Sequence, residues 1–443
     1  MSLLHLIRRA IGRGLPVLAA AGVLVGCARP QPLPLLTATA PGASDPVGPS
    51  GLTQSAHVRV TVTPSATPVP PNYMPGIYRD SAPPTESPTP TSTGPAITST
   101  PEPTPQPTPT PTPPWPEAID GPSASKLGLH VIGTNDPYVF ELIRRVKPAV
   151  VKGAGSYGWM AEVKAASPST VTMARVVEAN QESWIDEGVS PEVAAQNYVL
   201  GHLGEYQNNP GIDYWESWNE FGYGENELSR LAWYGQFEAA RACLMQQYGF
   251  RAAVGGFATG WPRNYADLEA FLPALQAAAR CGGIWHLHEY NRPYLTCGIS
   301  APGTAGIIPG APAVNVEAGP LTLRYRLWYE GYLKPRGLGN LKLIISELGM
   351  DRTQVPAGCP DPGDSAAWKE LEGFWVANQH GGNASEAYLK ELTWYDQQMR
   401  QDGYVIGAAI FTTGYPEGGP DGWGPFDIHT LLIPLANYLA TQR

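Results

Sequence analysis

Two glutamates that end apolar runs are the most informative residues of the sequence. Glu220 closes the run at 213–220 directly after Asn219, and Glu347 lies near the end of the run at 342–349. A glutamate in an apolar strand is costly to bury unless it is paired or functional. Two carboxyl groups that face one cleft can cleave a glycosidic bond, one by donating a proton and the other by attacking the sugar or activating water. The pair therefore points to acid–base and nucleophilic chemistry.

Short apolar runs alternate with amphipathic segments from Lys126 onward, eight times in all. The predicted strands are 126–133, 149–155, 170–178, 213–220, 251–260, 284–290, 342–349 and 405–414. The predicted helices are 138–147, 191–207, 229–248, 266–280, 322–334 and 385–402, with a short last helix at the C-terminus and none between the second and third strands. This pattern predicts an α/β fold, a (β/α)8 TIM barrel. The rival, a doubly wound open sheet, lacks its glycine-rich phosphate turn after the first strand.

The chemistry of such a barrel lies at the C-terminal ends of its strands. Glu220 and Glu347 would then share one rim with the segment HEY (288–290), which ends the sixth strand. The long connections 291–321 and 351–384, rich in glycine and proline, would rise over the same face. A single cleft lined by residues from several strands is expected there.

The segments WESWNE and LIISELG, with HEY between them, resemble the clan A glycoside hydrolases, which are retaining barrel enzymes that include cellulase-like and β-xylosidase-like families. The resemblance implies that Glu220 is the acid/base and Glu347 the nucleophile. It also implies that Asn219 binds the 2-hydroxyl of the substrate and that Tyr290 is hydrogen-bonded to the nucleophile. No metal or organic cofactor is implied.

Further substrate-binding residues are predicted around this pair. His288 belongs to the His-x-Tyr motif of the clan. The clan often has a tryptophan at the end of strand eight, where this chain has Phe411-Thr412-Thr413 instead. Because sugar rings stack on aromatic side chains, Trp423 in the following loop is the candidate platform. Arg175 is predicted either to pair within the core or to contact substrate.

Several polar residues of the predicted strands are expected inside the barrel. Glu216 shares the strand parity of Glu220 and should point inward, where Lys152 or Arg175 could pair with it. His130 and His286 are predicted to be hydrogen-bonded core groups rather than catalysts.

The N-terminus resembles an export signal. A basic start is followed by an apolar run, 15–25, that is shorter than the roughly 20 residues of a spanning helix. Leu24-Val25-Gly26-Cys27 resembles the bacterial lipobox, which implies a lipidated Cys27 as the first mature residue. An ordinary cleaved signal or an uncleaved anchor are the alternatives. The protein is therefore predicted to be extracytoplasmic, held to the cell membrane only through its lipid anchor.

A proline-rich tether follows the signal. Residues 28–122 hold 26 of the 47 prolines, so they are not expected to form a packed domain. The Pro/Thr tract at 88–116 favours extended polyproline II conformation. The predicted organisation is a signal peptide at 1–27, a disordered linker at 28–122 and a barrel at 123–443.

Charge and cysteine content narrow the partners and the compartment. All of the net charge of −10 falls in the barrel, and an acidic body without a basic patch argues against nucleic-acid binding. Four cysteines after Cys27 are consistent with two disulfides in an exported protein, with three possible connectivities. We favour Cys243–Cys281 and Cys297–Cys359, because the second pair would lie in neighbouring loops at the rim.

Together these features predict an extracytoplasmic retaining glycosidase that acts on a β-linked polysaccharide or oligosaccharide. The main alternative is a catalytically inactive barrel that binds glycans at the cell surface. A third possibility is an adhesin in which the Pro/Thr stalk is the working part.

Overall fold

A computed structural model of the chain describes residues 114–443 apart from 134–135, 179, 225–226, 366 and 415–422. The predicted signal with Cys27, and linker residues 28–113, lie outside the described residues, so lipidation and tethering stay predictions. Residues 114–122 run along the body of the protein. Ile119 is buried there, and its amide donates a hydrogen bond of 2.8 Å to the carbonyl oxygen of Arg145.

Eight parallel strands form one sheet. They are β1 (Leu127–Val131), β2 (Val150–Ala154), β3 (Val171–Arg175), β4 (Tyr214–Trp215), β5 (Ala253–Phe257), β6 (Ile284–Tyr290), β7 (Leu343–Gly349) and β8 (Val405–Thr413). The spatial order is β4-β3-β2-β1-β8-β7-β6-β5, so the first and last strands pair. A backbone bridge between Trp215 and Ala252 joins the two outer strands and nearly closes the ring. The predicted (β/α)8 barrel is confirmed.

Helices cover the outside of the ring. They are α1 (Pro137–Val146), α2 (Met160–Ala166), α3 (Ser183–Asp186), α4 (Pro191–Gly201), α5 (Leu203–Asn208), α6 (Leu228–Gln247), α7 (Tyr265–Arg280), α8 (Tyr325–Trp328), α9 (Glu372–Ala377), α10 (Ala384–Met399) and α11 (Leu432–Thr441). A π-helical turn (Tyr329–Leu333) and a 3-10 turn (Lys334–Arg336) continue α8, and two other 3-10 turns are Trp368–Leu371 and His429–Leu431. Among the described residues, no helix is both long and apolar enough to span a bilayer.

Helix α2 corrects the expectation that no helix separates the second and third strands. It has only seven residues, and no side chain caps its N-terminus. Just two of its residues, Met160 and Val163, are buried. A helix that buries so little and lacks a start signal leaves almost no periodic pattern in the sequence. By contrast α4 begins as predicted, with the Ser190 hydroxyl accepting from the Val193 amide and Pro191 at the first position.

The interior of the barrel changes from apolar to polar along the strands. Its lower part is an apolar layer with one residue from each of six strands: Val150, Met173, Ala253, Ile284, Ile344 and Ala409. Because side chains alternate along a strand, the next inward residue lies two positions later. Those positions include Lys152, Arg175 and His286. The sequence therefore places charged and polar groups directly above an apolar floor.

The seam between β4 and β5 is held by a helix side chain. The guanidinium of the fully buried Arg241 on α6 donates to the carbonyl oxygens of Trp215 (3.3 Å) and Ala253 (2.6 Å) and pairs with Glu238 at 2.7 Å. Strand β4 ends at Trp215, so the prediction that it runs to Glu220 is wrong. The alternating WESWNE pattern resembles a strand, but beyond Glu216 its backbone leaves the ladder.

Both favoured disulfides are present. Cys243 on α6 joins Cys281, which caps the end of α7. Cys297 and Cys359 join the loops that follow β6 and β7. The second disulfide ties together the two long connections at the rim, as the loop positions predicted.

Glu289 on β6 and Glu391 on α10 are both buried. Burial raises the pKa of each carboxyl to about 7, although hydrogen bonds from nearby groups oppose the shift. Glu391 accepts from the Thr296 amide at 3.3 Å, and its other oxygen lies 2.7 Å from Nε2 of His380. Burial also lowers the pKa of His380. A protonated Glu391 beside a neutral imidazole leaves no unpaired charge in this buried contact.

The protein should lose stability as the pH rises through neutrality. An unfolded glutamate releases its proton near pH 4.3, whereas folded Glu391 keeps its proton to about pH 7. This stabilisation is therefore complete below about pH 4.3 and lost as the pH passes about 7. We expect Glu391→Gln, which mimics the protonated acid, to remove about 2.5 kcal/mol of the difference in unfolding free energy between pH 5 and pH 8. Urea unfolding of both proteins at pH 5 and pH 8 measures this change. If the variant showed the same difference in unfolding free energy as the unmodified protein, the raised pKa of Glu391 would be contradicted.

Candidate active site

Glu347 lies inside the barrel at the C-terminal end of β7, and its side chain is 5% exposed. The Tyr290 hydroxyl donates a hydrogen bond of 2.9 Å to its Oε2. Nζ of Lys152 lies 3.1 Å from Oε1, and Arg175 lies 3.6 Å from the same oxygen. Nδ1 of His288 lies 3.4 Å from Oε2. Cations and donors from three other strands, β2, β3 and β6, thus converge on one carboxylate.

Irregular strand pairing turns Glu347 inward. Ile344 and Ser346 already face the interior, so strict alternation would send Glu347 to the outside. The register with β6 shifts between Leu287 and His288, and the register with β8 shifts between Ile345 and Leu348. Such irregularities re-aim side chains and are common beside active sites. Here they place two consecutive residues of β7 on the same face.

The surroundings of Glu347 favour its ionised form. Burial alone would raise the pKa of this carboxyl, but the neighbouring His288, Lys152 and Arg175 outweigh burial and hold the pKa well below its usual range. The carboxylate is therefore charged at neutral pH. A buried anion with donors on both oxygens is held in one orientation, which suits a nucleophile.

Glu220 lies in the loop after β4 and faces Glu347. Its Oε1 accepts a hydrogen bond of 2.8 Å from Nδ1 of His288, which thus lies between the two carboxylates. One oxygen of Glu220, one of Glu347 and the His288 nitrogen all lie within 4.8 Å of one another. The backbone of Glu220 has a φ of 45°, in the left-handed region that few residues other than glycine adopt. Strained backbone of this kind clusters at functional sites.

A charged layer lies beneath the two carboxylates. Glu216 is fully buried and pairs with Lys152 (3.0 Å) and Arg175 (3.4 Å), so the inward orientation predicted for it and its pairing are both observed. Burial opposes ionisation of Glu216, but these cations outweigh it and lower the pKa to about 2. Lys152 bridges Glu216 and Glu347. Arg175 is part of this core network, and its contact with substrate stays a prediction.

The two histidines inside the barrel, His286 and His130, differ in their hydrogen bonding. His286 is hydrogen-bonded as predicted, with Nδ1 at 2.8 Å from the Ser346 hydroxyl. His130 is not, because neither of its ring nitrogens has a hydrogen-bond partner among the described residues. Burial lowers the pKa of His286 to about 3 and that of His130 well below its usual range, so both rings are neutral. The His130 ring packs against Phe411 at 5.0 Å.

Asn219 and Trp423 are connected to the surroundings of Glu347 through different neighbours. The Asn219 side-chain oxygen accepts a hydrogen bond from Arg175, which places this amide beside Glu347. The Trp423 ring lies 4.9 Å from Phe411, which in turn lies 6.0 Å from Tyr290. Trp423 is half-buried, so part of its ring remains accessible. Binding of substrate by Asn219, His288, Tyr290, Arg175 and Trp423 stays a prediction.

Two residues near the site were not singled out from the sequence. Asp351 follows Glu347 by four positions, and burial together with the charge of Glu220 raises its pKa to about 7. Gln181 contacts the backbone of Asn219 from the loop after β3. Asp351 could have been noticed as a third acid near the end of β7. Gln181 carries no sequence signal, because its partner is 38 positions away.

Two carboxylates and an imidazole are also groups that can coordinate a divalent cation. The 2.8 Å between Nδ1 of His288 and Oε1 of Glu220 is, however, a hydrogen-bond distance. The arrangement suits proton transfer and nucleophilic attack by paired carboxyl groups.

No protein-family model matches the chain, and no curated protein matches it. Several solved structures are similar to it. A family 39 glycoside hydrolase from the gut symbiont Bacteroides cellulosilyticus WH2 is 17% identical with a TM-score of 0.43, and the match covers 74% of this chain but only 64% of that protein. The endo-1,4-β-D-mannanase of Thermotoga petrophila RKU-1 is 13% identical with a TM-score of 0.38, covering 71% and 99%.

A third similar structure is CJP38, a β-1,3-glucanase and allergen of Cryptomeria japonica pollen. It is 13% identical with a TM-score of 0.39, and the match covers 68% of this chain and 95% of that protein. At these identities and scores, the similarities carry no argument about what this chain acts on.

Proposed function

We propose that the protein is a retaining glycoside hydrolase that cleaves a β-linked polysaccharide or oligosaccharide by double displacement. The observation that carries the proposal is the approach of the Glu220 and Glu347 carboxylates to within 4.8 Å at the rim of the barrel. Retaining enzymes have their two carboxyl groups about 5–5.5 Å apart, whereas inverting enzymes need about 6.5–9.5 Å to admit a water molecule. The short approach favours retention.

In the first step the ionised Glu347 attacks the anomeric carbon and forms a glycosyl ester. The bond from that carbon to the leaving oxygen breaks, and Glu220 donates the proton that the leaving group takes up. Tyr290 and Lys152 stay on the Glu347 oxygens and hold the attacking carboxylate in place. Asn219, beside the nucleophile, is the candidate partner of the sugar 2-hydroxyl.

In the second step the Glu347 ester carries no charge, so Glu220 loses the neighbouring anion and can act as a base. It takes a proton from water, the hydroxyl attacks the anomeric carbon, and Glu347 leaves as a carboxylate. Nδ1 of His288 contacts both carboxyl groups, so it lies beside the negative charge whether Glu220 or Glu347 carries it. Two inversions give net retention.

We place this activity outside the cytoplasm, on a protein tethered by a lipid on Cys27 and a proline-rich linker. Two disulfides support an oxidising compartment. The lipobox-like sequence LVGC and the Pro/Thr tract support the tether. The partners are then a glycan substrate and, through the lipid alone, a membrane.

Trapping the covalent intermediate tests the proposal. The full chain is incubated with 2,4-dinitrophenyl 2-deoxy-2-fluoro-β-glycosides of glucose, xylose and mannose, and its intact mass is measured. We expect a mass gain of one fluoroglycosyl group with one sugar, located on Glu347 by peptide mapping. The Glu347→Gln variant is the control and should show no gain. An adduct on another residue would remove Glu347 from its role, and glycan binding without an adduct or turnover would favour the inactive barrel.

A further inference from the structure

The segment that carries Glu220 has little support from strand pairing. The last ladder contact of β4 towards β3 is the hydrogen bond of 2.8 Å from the Glu216 amide to the Ala174 carbonyl oxygen. Residues 217–220 continue past the end of the strand as irregular backbone. The acid/base candidate therefore lies on a loop, whereas Glu347 lies within a strand. On the side of β3, something other than the sheet must therefore hold this loop in place.

The side-chain amide of Gln181 takes the place of a neighbouring strand. Its Nε2 donates to the carbonyl oxygen of Asn219 at 2.6 Å, and its Oε1 accepts from the amide of the same residue at 2.8 Å. One primary amide thus satisfies both backbone groups of the residue before Glu220. Strand partners make the same pair of contacts in a sheet. Arg175 holds the Asn219 side chain at the same time.

Neighbouring contacts anchor the loop that carries Gln181. Glu182 accepts from the Gly222 amide at 3.1 Å and pairs with Arg230 of α6 at 2.5 Å. Arg230 also pairs with Asp186 at 2.9 Å and donates to the Gly222 carbonyl oxygen. These contacts link the loop after β3 to the residues on the far side of Glu220. Gln181 therefore lies on a loop that hydrogen bonds and ion pairs fix to Gly222 and to α6.

On the opposite side, β5 holds Glu220 through its backbone. The Glu220 amide donates to the carbonyl oxygen of Gly256 at 2.8 Å. A Cβ on Gly256 would lie 2.9 Å from the Trp218 carbonyl oxygen and 2.8 Å from the His286 ring, so only glycine allows this approach. The left-handed backbone of Glu220 is thus fixed between Gln181 and β5. Strain of this kind persists only where the surroundings impose it.

We propose that Gln181 is a positioning residue that aims the carboxyl of Glu220 at the leaving-group oxygen, through the two hydrogen bonds to Asn219. This inference rests on the proposed glycosidase function and adds a residue to it. Gln181 touches neither Glu220 nor Glu347 by any described contact, so its effect is on geometry. Loss of the amide lets the loop relax and moves the proton donor away from the substrate. A displacement of about 1 Å can cost on the order of a hundredfold in rate.

The effect should depend on the leaving group. A dinitrophenolate leaves without a proton, whereas a phenolate or a sugar needs one from the acid. For Gln181→Ala we expect kcat/KM on the phenyl β-glycoside to fall by about ten- to a hundredfold, and on the 2,4-dinitrophenyl β-glycoside by less than about threefold. A general structural defect would lower both alike. An equal loss on both substrates, or no loss on either, would overturn the proposal.

An isosteric variant separates donation from packing. In Gln181→Glu the carboxylate still accepts from the Asn219 amide but repels its carbonyl oxygen, and protonation restores the donor. We therefore expect activity on the phenyl glycoside, relative to the unmodified protein, to recover at least threefold as the pH falls through the titration range of a carboxyl group, near pH 4.3. The exposed Glu187 on the same loop supplies the control Glu187→Ala, which should match the unmodified protein. A constant ratio across pH would count against the donor role.

Hydrogen exchange tests the positioning without turnover. The peptide that contains residues 216–222 should exchange its amides at least tenfold faster in Gln181→Ala, with the peptides of β6 and β7 unchanged. Unaltered exchange at 216–222 would overturn the inference whatever the activity. Conversely, an unmodified protein that hydrolyses no glycoside but shows faster exchange in the variant would refute the proposed function and leave the structural role of Gln181 standing.

Discussion

Replacement of Glu347 by glutamine is expected to lower kcat/KM on a 2,4-dinitrophenyl β-glycoside by about four to six orders of magnitude. The amide keeps the volume of the side chain and can still accept from Tyr290, but it has no charge with which to attack the anomeric carbon. Lys152 retains Glu216 as a partner, so the barrel should remain folded. Initial rates with the accepted sugar, together with circular dichroism, measure both parts of the prediction.

A rescue experiment shows whether the lost group is a nucleophile. In Glu347→Gly, added azide should restore part of the turnover and give a glycosyl azide of inverted configuration, because azide attacks where the carboxylate did. The matched control is Glu187→Gln, which removes an exposed carboxylate outside the cleft and should have normal rates. If Glu347→Gln kept a tenth or more of the activity, Glu347 would not be the nucleophile.

Replacement of Lys152 by methionine is expected to destabilise the fold by about 3–5 kcal/mol, because it leaves two buried carboxylates without their shared cation. Lys152 lies 3.0 Å from Glu216 and 3.1 Å from Glu347, and none of the three side chains is more than 5% exposed. Urea unfolding at pH 7 measures the change. A loss below about 1 kcal/mol would contradict the shared role.

The same substitution should alter the pH dependence of activity. Lys152 is one of the charges that hold the pKa of Glu347 well below its usual range against the effect of burial. Without it the pKa of Glu347 rises, and because attack requires the ionised form, the acid limb of kcat/KM should move to higher pH by about one unit or more. An unmoved acid limb would show that Lys152 does not control Glu347.

A second substitution separates the two effects of Lys152. In Lys152→Met with Glu216→Gln, one of the two carboxylates that have lost Lys152 is gone, so we expect about half of the lost stability to return. The depressed pKa values of Glu216 and Glu347 give stability that is present above about pH 4.3 and lost as the pH falls through their folded values. The double variant should therefore depend less on pH in acid than the unmodified protein, while its acid limb of activity stays displaced.

Most of the barrel could be predicted because its signals are local. The strands at 127–131, 150–154, 284–290 and 343–349 lie within the predicted runs, whose apolar residues mark them as buried parallel strands. The sequence pattern was weakest where an element buries few residues, as in α2. It was also weak where a side chain takes the place of backbone hydrogen bonds between strands. Arg241 from α6 donates to the carbonyl oxygen of Trp215, the last residue of β4, and no local pattern encodes that contact.

The sequence by itself determined the number and order of the strands, the inward position of Lys152 and Glu216, and the two residues on which the chemistry is proposed to depend. Those features follow from periodicity and from residue type, which are properties of neighbours along the chain. The tertiary structure alone decided that register shifts turn Glu347 inward, that His288 lies between the carboxylates, and that Gln181 fixes the backbone before Glu220. These contacts join residues that are distant in the chain, so only closure of the barrel brings them together.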